Sequence, residues 1–324
     1  MKYGVRIAAF LLAAILCVGI FSGCAKESKT EQYPIEENTI RNAEIYPYIV
    51  RTPHATWYLA QADIDLLGEE TFFRELNEIL AYQEADFVDA IDALQDYLVG
   101  DVPCIDIWTD FSGRTEFGKS AYFSAYCMWD MDLIYVYHGF SNVRYDLLHE
   151  YVHYLTHRCC SFGLKTDFWS ECIAEYVSRF VCFNRMSHSI LTEADKETYR
   201  QYGLADGNGE PDQKKVYCAY AEWIRSGEAI GMQYLAVNQT GMTLTEQQVR
   251  NPEIGALSYI EACCFFDWLV ARYGEDCVFS HMTIGPEQFE EVFGKDFNTL
   301  FSEWTEENHA WFLENVRLPE GTEE

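Results

Sequence analysis

Val143-Arg144-Tyr145-Asp146-Leu147-Leu148-His149-Glu150-Tyr151-Val152-His153-Tyr154-Leu155-Thr156 is the most informative stretch of this chain. Val143, Leu147, Leu148, Tyr151, Val152 and Leu155 recur at helical spacing, and no proline or glycine interrupts them. The segment is therefore expected to be a helix buried along one side. On it His149 and His153 stand one turn apart and share a face, so both imidazoles can reach one ion at about 2.0–2.1 Å. Glu150 then lies beside such an ion rather than on it. From there its carboxylate can take a proton from a water whose pKa a metal lowers to about 7, and return it to a leaving group. With 8 His and 52 acidic residues among 324, chance supplies about 0.03 matches to H-[DE]-x-x-H. Weight therefore falls on the flanking sequence.

Downstream, Trp169-Ser170-Glu171-Cys172-Ile173-Ala174-Glu175-Tyr176-Val177-Ser178 is a second helical segment, with two carboxylates four apart on one face. A catalytic zinc takes three protein ligands and keeps one position open, which makes Glu171 the candidate third ligand of a His2Glu set with His149 and His153. Glu175, one turn on, is placed to hydrogen-bond a ligating imidazole and fix its tautomer. His157 continues the histidine ladder, but a further helical turn adds about 6 Å of rise, so it should miss the ion and take a structural or surface role.

With Glu171-Cys172-Ile173-Ala174-Glu175-Tyr176 in view, the chain resembles the gluzincins, zinc metallopeptidases in which HExxH is followed by a helix carrying the glutamate ligand, often as E-G-x-A-x-Y. The resemblance runs from about Ile105 to Phe312. It includes Tyr259-Ile260-Glu261-Ala262-Cys263-Cys264-Phe265-Phe266-Asp267-Trp268-Leu269-Val270-Ala271-Arg272-Tyr273-Gly274 and Phe289-Glu290-Glu291-Val292-Phe293-Gly294 with Leu300 and Trp304, which look like the closing helices of bacterial peptidase MA-type proteins. It implies zinc as cofactor, His149, His153 and Glu171 as ligands, Glu150 as general base, and Tyr259 as the candidate stabiliser of the oxyanion. Cys172 stands where the family usually has glycine, and no G-x-M-E-N-like segment occurs upstream. An endopeptidase, or an enzyme with a different exopeptidase pocket, is expected. In such proteins an edge strand before the zinc helix pairs with extended substrate; Ala121 to Tyr126 and Leu133 to Tyr137 are the candidates.

Lys2 and Arg6 precede an apolar run from Ile7 to Phe21, the length of a signal-peptide core and short for a membrane span. Phe21-Ser22-Gly23-Cys24 resembles a bacterial lipobox, which makes residues 1–23 a lipoprotein signal peptide and Cys24 the lipidation site; cleavage by the ordinary signal peptidase and an uncleaved anchor helix are the other readings. Residues 24–43 are polar and without periodicity, as expected of a flexible tether. The folded protein is then expected on the cell membrane, lipid-anchored and facing the extracytoplasmic side.

A net charge of −29 makes nucleic acid and anionic lipid poor partners for the surface. The gluzincin resemblance implies a peptide or protein substrate. Of the 12 cysteines, Cys17 and Cys24 fall in the leader and lipid site; the others are compatible with disulfides outside the cytoplasm and with free thiols alike.

The rest organises as α+β. At 49% hydrophobic and 16% aromatic, the chain can bury a large core. Phe72 to Val99 reads as an amphipathic helix, Cys104 to Thr109, Ala121 to Tyr126 and Leu133 to Tyr137 as strands, and the chain beyond Cys160 as mostly helical. The expected architecture is zincin-like: residues 44–160 form a subdomain with a small mixed sheet whose edge strand packs on the HExxH helix, and 161–318 a helical subdomain with the glutamate ligand. Asp206-Gly207-Asn208-Gly209-Glu210 is expected to be a turn rather than a calcium loop. A zinc-dependent peptidase is the leading expectation. A non-catalytic, zinc-containing peptide-binding lipoprotein and a metal-free cell-envelope interaction protein are the alternatives.

Overall fold

The computed structural model describes residues 33–115, 118–119, 124–140, 143–164, 166–182, 193–225 and 252–317. The signal-peptide segment, Cys24 and the start of the tether lie outside the described residues. By its contacts the chain divides into two compact units, Glu27–Gly163 and Leu164–Glu324.

The first unit is built on a mixed sheet of β1 (Ile35–Glu37), β2 (Tyr48–Arg51), β3 (Ala55–Leu59), β4 (Ile105–Thr109), β5 (Ala125–Met128) and β6 (Leu133–Val136). Their spatial order is β1-β2-β3-β4-β6-β5. The first three strands run antiparallel to one another, β3, β4 and β6 are parallel, and β5 returns antiparallel to β6. A parallel step needs a crossover; α1 (Gln61–Leu67) and α2 (Glu69–Ala93) supply it between β3 and β4, and α3 (Val143–Tyr154) follows β6.

Ordered structure begins earlier than the sequence suggests. Strand β1 falls inside 24–43, the stretch expected to be a tether, and Ile35 pairs with Val50 of β2. Its three residues carry no apolar pattern of their own; pairing with an apolar neighbour makes the strand. Strands β2 and β3 also escape a periodicity reading, because Trp57, Tyr58 and Leu59 are all buried in succession. A strand covered on both faces does not alternate.

Helix α2 packs against α3. Phe72, Leu76, Ile79, Leu80 and Phe87 form its buried stripe, and Phe87 stacks on Tyr151 with centroids 3.6 Å apart and planes 4° from parallel. Arg144 Nε and Nη2 donate to the two Asp86 carboxylate oxygens at 2.8 and 2.9 Å. Burial pushes the Asp86 carboxyl above its ordinary range, against the pull of the Arg144 guanidinium. Gln83 accepts from Trp57 Nε1 at 2.9 Å, fastening the same helix to β3.

In the second unit all described elements are helices: α4 (Asp167–Glu175), α5 (Glu193–Gln201), α6 (Gln213–Arg225), α7 (Pro252–Tyr273), α8 (Glu275–Ser280), α9 (Phe289–Phe293) and α10 (Phe297–Asn315). Helix α7 packs on α4 and α6. Trp169 is fully buried; its Nε1 donates to the Ile284 carbonyl at 2.8 Å and its ring stacks on Phe289 at 5.5 Å and 12°. Gly294, at φ +76°, ends α9 in the left-handed conformation that glycine adopts without steric cost. Asp206 Oδ1 accepts from the N–H groups of Asn208 and Glu210, closing a turn at that loop. The ten described cysteines are free thiols. Among the described residues no helix is long and apolar enough to cross a membrane.

Candidate metal centre

Helix α3 packs against β5 and β6. His149 and His153 are buried at 7% and 8% exposure, a desolvation that costs free energy unless the ring nitrogens find partners. Their rings lie 4.6 Å apart at 84°, and the two Nε2 atoms face each other at 3.0 Å. Two nitrogens that each sit about 2.0–2.1 Å from one tetrahedral ion stand about 3.3 Å apart, close to the observed spacing.

Glu171 sits in the second turn of α4, whose start is fixed by Thr166: its hydroxyl accepts from the Trp169 N–H at 3.4 Å. One ligand atom each from His149, His153 and Glu171 lie within 4.8 Å of one another, a group that can hold a metal ion. Two imidazole nitrogens and one carboxylate oxygen make a donor set suited to a borderline divalent cation.

Glu150 points to the sheet. Its Oε2 accepts from the backbone N–H of Cys127, in the middle of β5, at 2.8 Å. The topology separates the two edge-strand candidates: β5 is the terminal strand, whereas β6, the Leu133 to Tyr137 candidate, is enclosed between β4 and β5. A strand enclosed on both sides has its backbone groups committed to neighbours, so that candidate is corrected. The β5 candidate also shifts, from Ala121 to Tyr126 to the observed Ala125–Met128, and residues 121–123 lie outside the described residues. The Cys127 thiol is pushed well above its ordinary range by burial first, then by the negative charges of Glu150, Asp130 and Asp132.

Both helices that carry candidate ligands run on into π-helical turns, Leu155–Cys159 after α3 and Tyr176–Cys182 after α4. Near each junction a hydroxyl bonds back to the carbonyl four residues earlier, Thr156 Oγ1 to Val152 at 2.9 Å and Ser178 Oγ to Ala174 at 2.6 Å, a contact that bends helices. In the first π turn the His157 ring stacks on Trp129, 4.8 Å away and 10° from parallel. Glu175 is buried and its Oε2 is 3.5 Å from Arg179 Nε. Cys172 between the two glutamates is fully buried, and burial first, then the charges of Glu171 and Glu175, raise its thiol well above the ordinary range. Tyr259 is half-buried on α7.

No protein-family model matches the chain, and no curated protein matches its sequence.

Two features of this region have no mark in the sequence motif. The Cys127 N–H is a backbone group, and any residue but proline supplies one. Asp86 is one of many acids on α2, and its pairing with Arg144 becomes visible only when α2 and α3 are packed together.

Proposed function

We propose that this protein is a zinc-dependent peptidase of gluzincin type, an endopeptidase held on the outer face of the cell membrane by lipid at Cys24. The observation that carries the reading is the convergence of His149, His153 and Glu171 donor atoms within 4.8 Å, beside a glutamate anchored to the terminal strand. His149 and His153 through their Nε2 atoms, and Glu171 through its carboxylate, are the residues that would hold the metal. Bound zinc polarises a scissile carbonyl and lowers the pKa of a neighbouring water to about 7. Glu150 takes the proton of the attacking water on its carboxylate and delivers it to the leaving amine nitrogen. Tyr259 is the candidate donor to the oxyanion. The terminal strand β5 offers backbone groups to an extended peptide, which supports binding that tolerates many sequences. Lys2, Arg6, the apolar run to Phe21 and Ser22-Gly23-Cys24 support the anchored location.

The test is mass-spectrometric cleavage profiling of a diverse peptide pool by the zinc-loaded full-length protein and by its Glu150→Gln variant. Internal cuts that vanish in the variant, with zinc still bound, are expected. Cuts that persist in Glu150→Gln would remove Glu150 as the base. Zinc binding with no cuts by either protein would favour a peptide-binding lipoprotein, and no zinc binding at all would end the metal reading.

A further inference from the structure

We propose that the backbone N–H of Cys127 is the positioning donor for Glu150, fixing its carboxylate on the reaction side of α3; the inference rests on the peptidase reading. The Tyr137 N–H donates to the Ser124 carbonyl at 2.7 Å, so the ladder between β5 and β6 alternates from that pair. With Tyr126 opposite Tyr135 and Met128 opposite Leu133 as the next hydrogen-bonded pairs, Ala125 and Cys127 turn their N–H and C=O groups away from β6. One of those outward groups, the Cys127 N–H, donates to Glu150 Oε2 at 2.8 Å. A glutamate side chain has three torsions, and ordering it costs entropy that a hydrogen bond to a rigid strand offsets in advance. The same bond commits one outward donor of β5. An extended peptide laid along the strand meets the outward N–H and C=O of Ala125 and the C=O of Cys127, but not the Cys127 N–H, so its register against Glu150 is fixed. Cys127 therefore acts through its backbone, as a positioning residue, while its buried thiol packs against the helix side.

The decisive variant is Cys127→Pro, which deletes the N–H at a position where β6 does not use it; proline is tolerated on terminal strands at such places. In the zinc-loaded full-length protein, Cys127→Pro should lower kcat by about 10- to 100-fold, with KM changed by less than about threefold and zinc stoichiometry kept. Cys127→Ser retains the N–H and should recover most of that loss. Equal losses in the two variants, a loss carried by KM alone, or a Cys127→Pro enzyme within about twofold of the parent kcat would overturn the proposal. Amide hydrogen exchange in the metal-free full-length protein provides the arm that does not depend on activity. The Cys127 amide should exchange at least about tenfold faster in Glu150→Ala than in the parent, and equal rates would overturn the proposal even where the proline variant does not fold. If the parent protein cuts nothing, the peptidase reading fails by itself, and the exchange rates still decide whether this N–H is held by Glu150.

Discussion

Where α3 meets α2, Leu147 and Leu148 line a buried seam with Ile79, Phe87 and the Asp86–Arg144 pair, and Tyr151 lies flat on Phe87; where it meets β5, the same helix offers Glu150 to a strand amide. His149 and His153 meanwhile turn their Nε2 atoms toward each other at 3.0 Å. The first contact surface is packed and mostly apolar, with the Asp86–Arg144 ion pair doubly hydrogen-bonded. The second also buries Ala125 and Cys127 of β5, but adds polar groups, the Cys127 N–H and the Glu150 carboxylate, that must find partners there. The contrast teaches a division of labour: burial against α2 and the sheet fixes the helix, and that fixed frame sets where the histidines and Glu150 stand.

The largest expected effect separates the two surfaces outright. Glu150→Gln should lower hydrolysis by about 10³-fold or more while the melting temperature stays near that of the parent; a large fall in melting temperature would mean that Glu150 also supports the fold. Next, Asp86→Asn leaves Arg144 buried without a counter-charge and should destabilise the protein by about 3–5 kcal/mol in denaturant unfolding. Replacing both, Asp86→Leu with Arg144→Met, should recover most of that loss, because two apolar groups have no desolvation to repay. A cost below about 1 kcal/mol for Asp86→Asn would show that the pair does not hold α3 on α2.

Metal removal gives a smaller loss of stability. At zinc concentrations of about 100 Kd, binding to the folded state alone stabilises it by about 2.7 kcal/mol, so chelation should lower the melting temperature by several degrees, and His153→Ala should abolish the difference. Equal melting curves with and without zinc would count against the histidine pair as ligands. The smallest effect is expected at Tyr151→Phe. The Tyr151 hydroxyl is buried without a hydrogen-bond partner among the described residues, and burial lifts its pKa far above the ordinary phenol range. Removing it should leave stability within about 1 kcal/mol or raise it, since the Phe87 stack survives. A loss above about 2 kcal/mol would show that the hydroxyl is satisfied after all.

Periodicity and spacing alone located α3 and α4, because a helix imposes its repeat on every residue and the i, i+4 rule puts His149 beside His153 and Glu171 beside Glu175. Alternation likewise located β4 and the neighbourhood of β5 and β6. The same logic is silent on β1 to β3, where three- to five-residue strands are too short, or too evenly buried, to show a period of two. Sequence could not say which of two apolar runs is terminal in the sheet, since strand order is fixed by pairings between distant segments. Nor could it show that α3 and α4 run on into π turns.

What the sequence by itself determined is the inventory of the candidate centre: His149, His153, Glu150 and Glu171, placed by helical geometry that is local and therefore written in consecutive residues. What only the tertiary structure decided is how that inventory is held: the Asp86–Arg144 pair, the Phe87–Tyr151 stack, and the bond from the Cys127 amide to Glu150. Each joins groups far apart along the chain, and the last involves a backbone N–H that every residue but proline possesses, so no side-chain pattern can announce it.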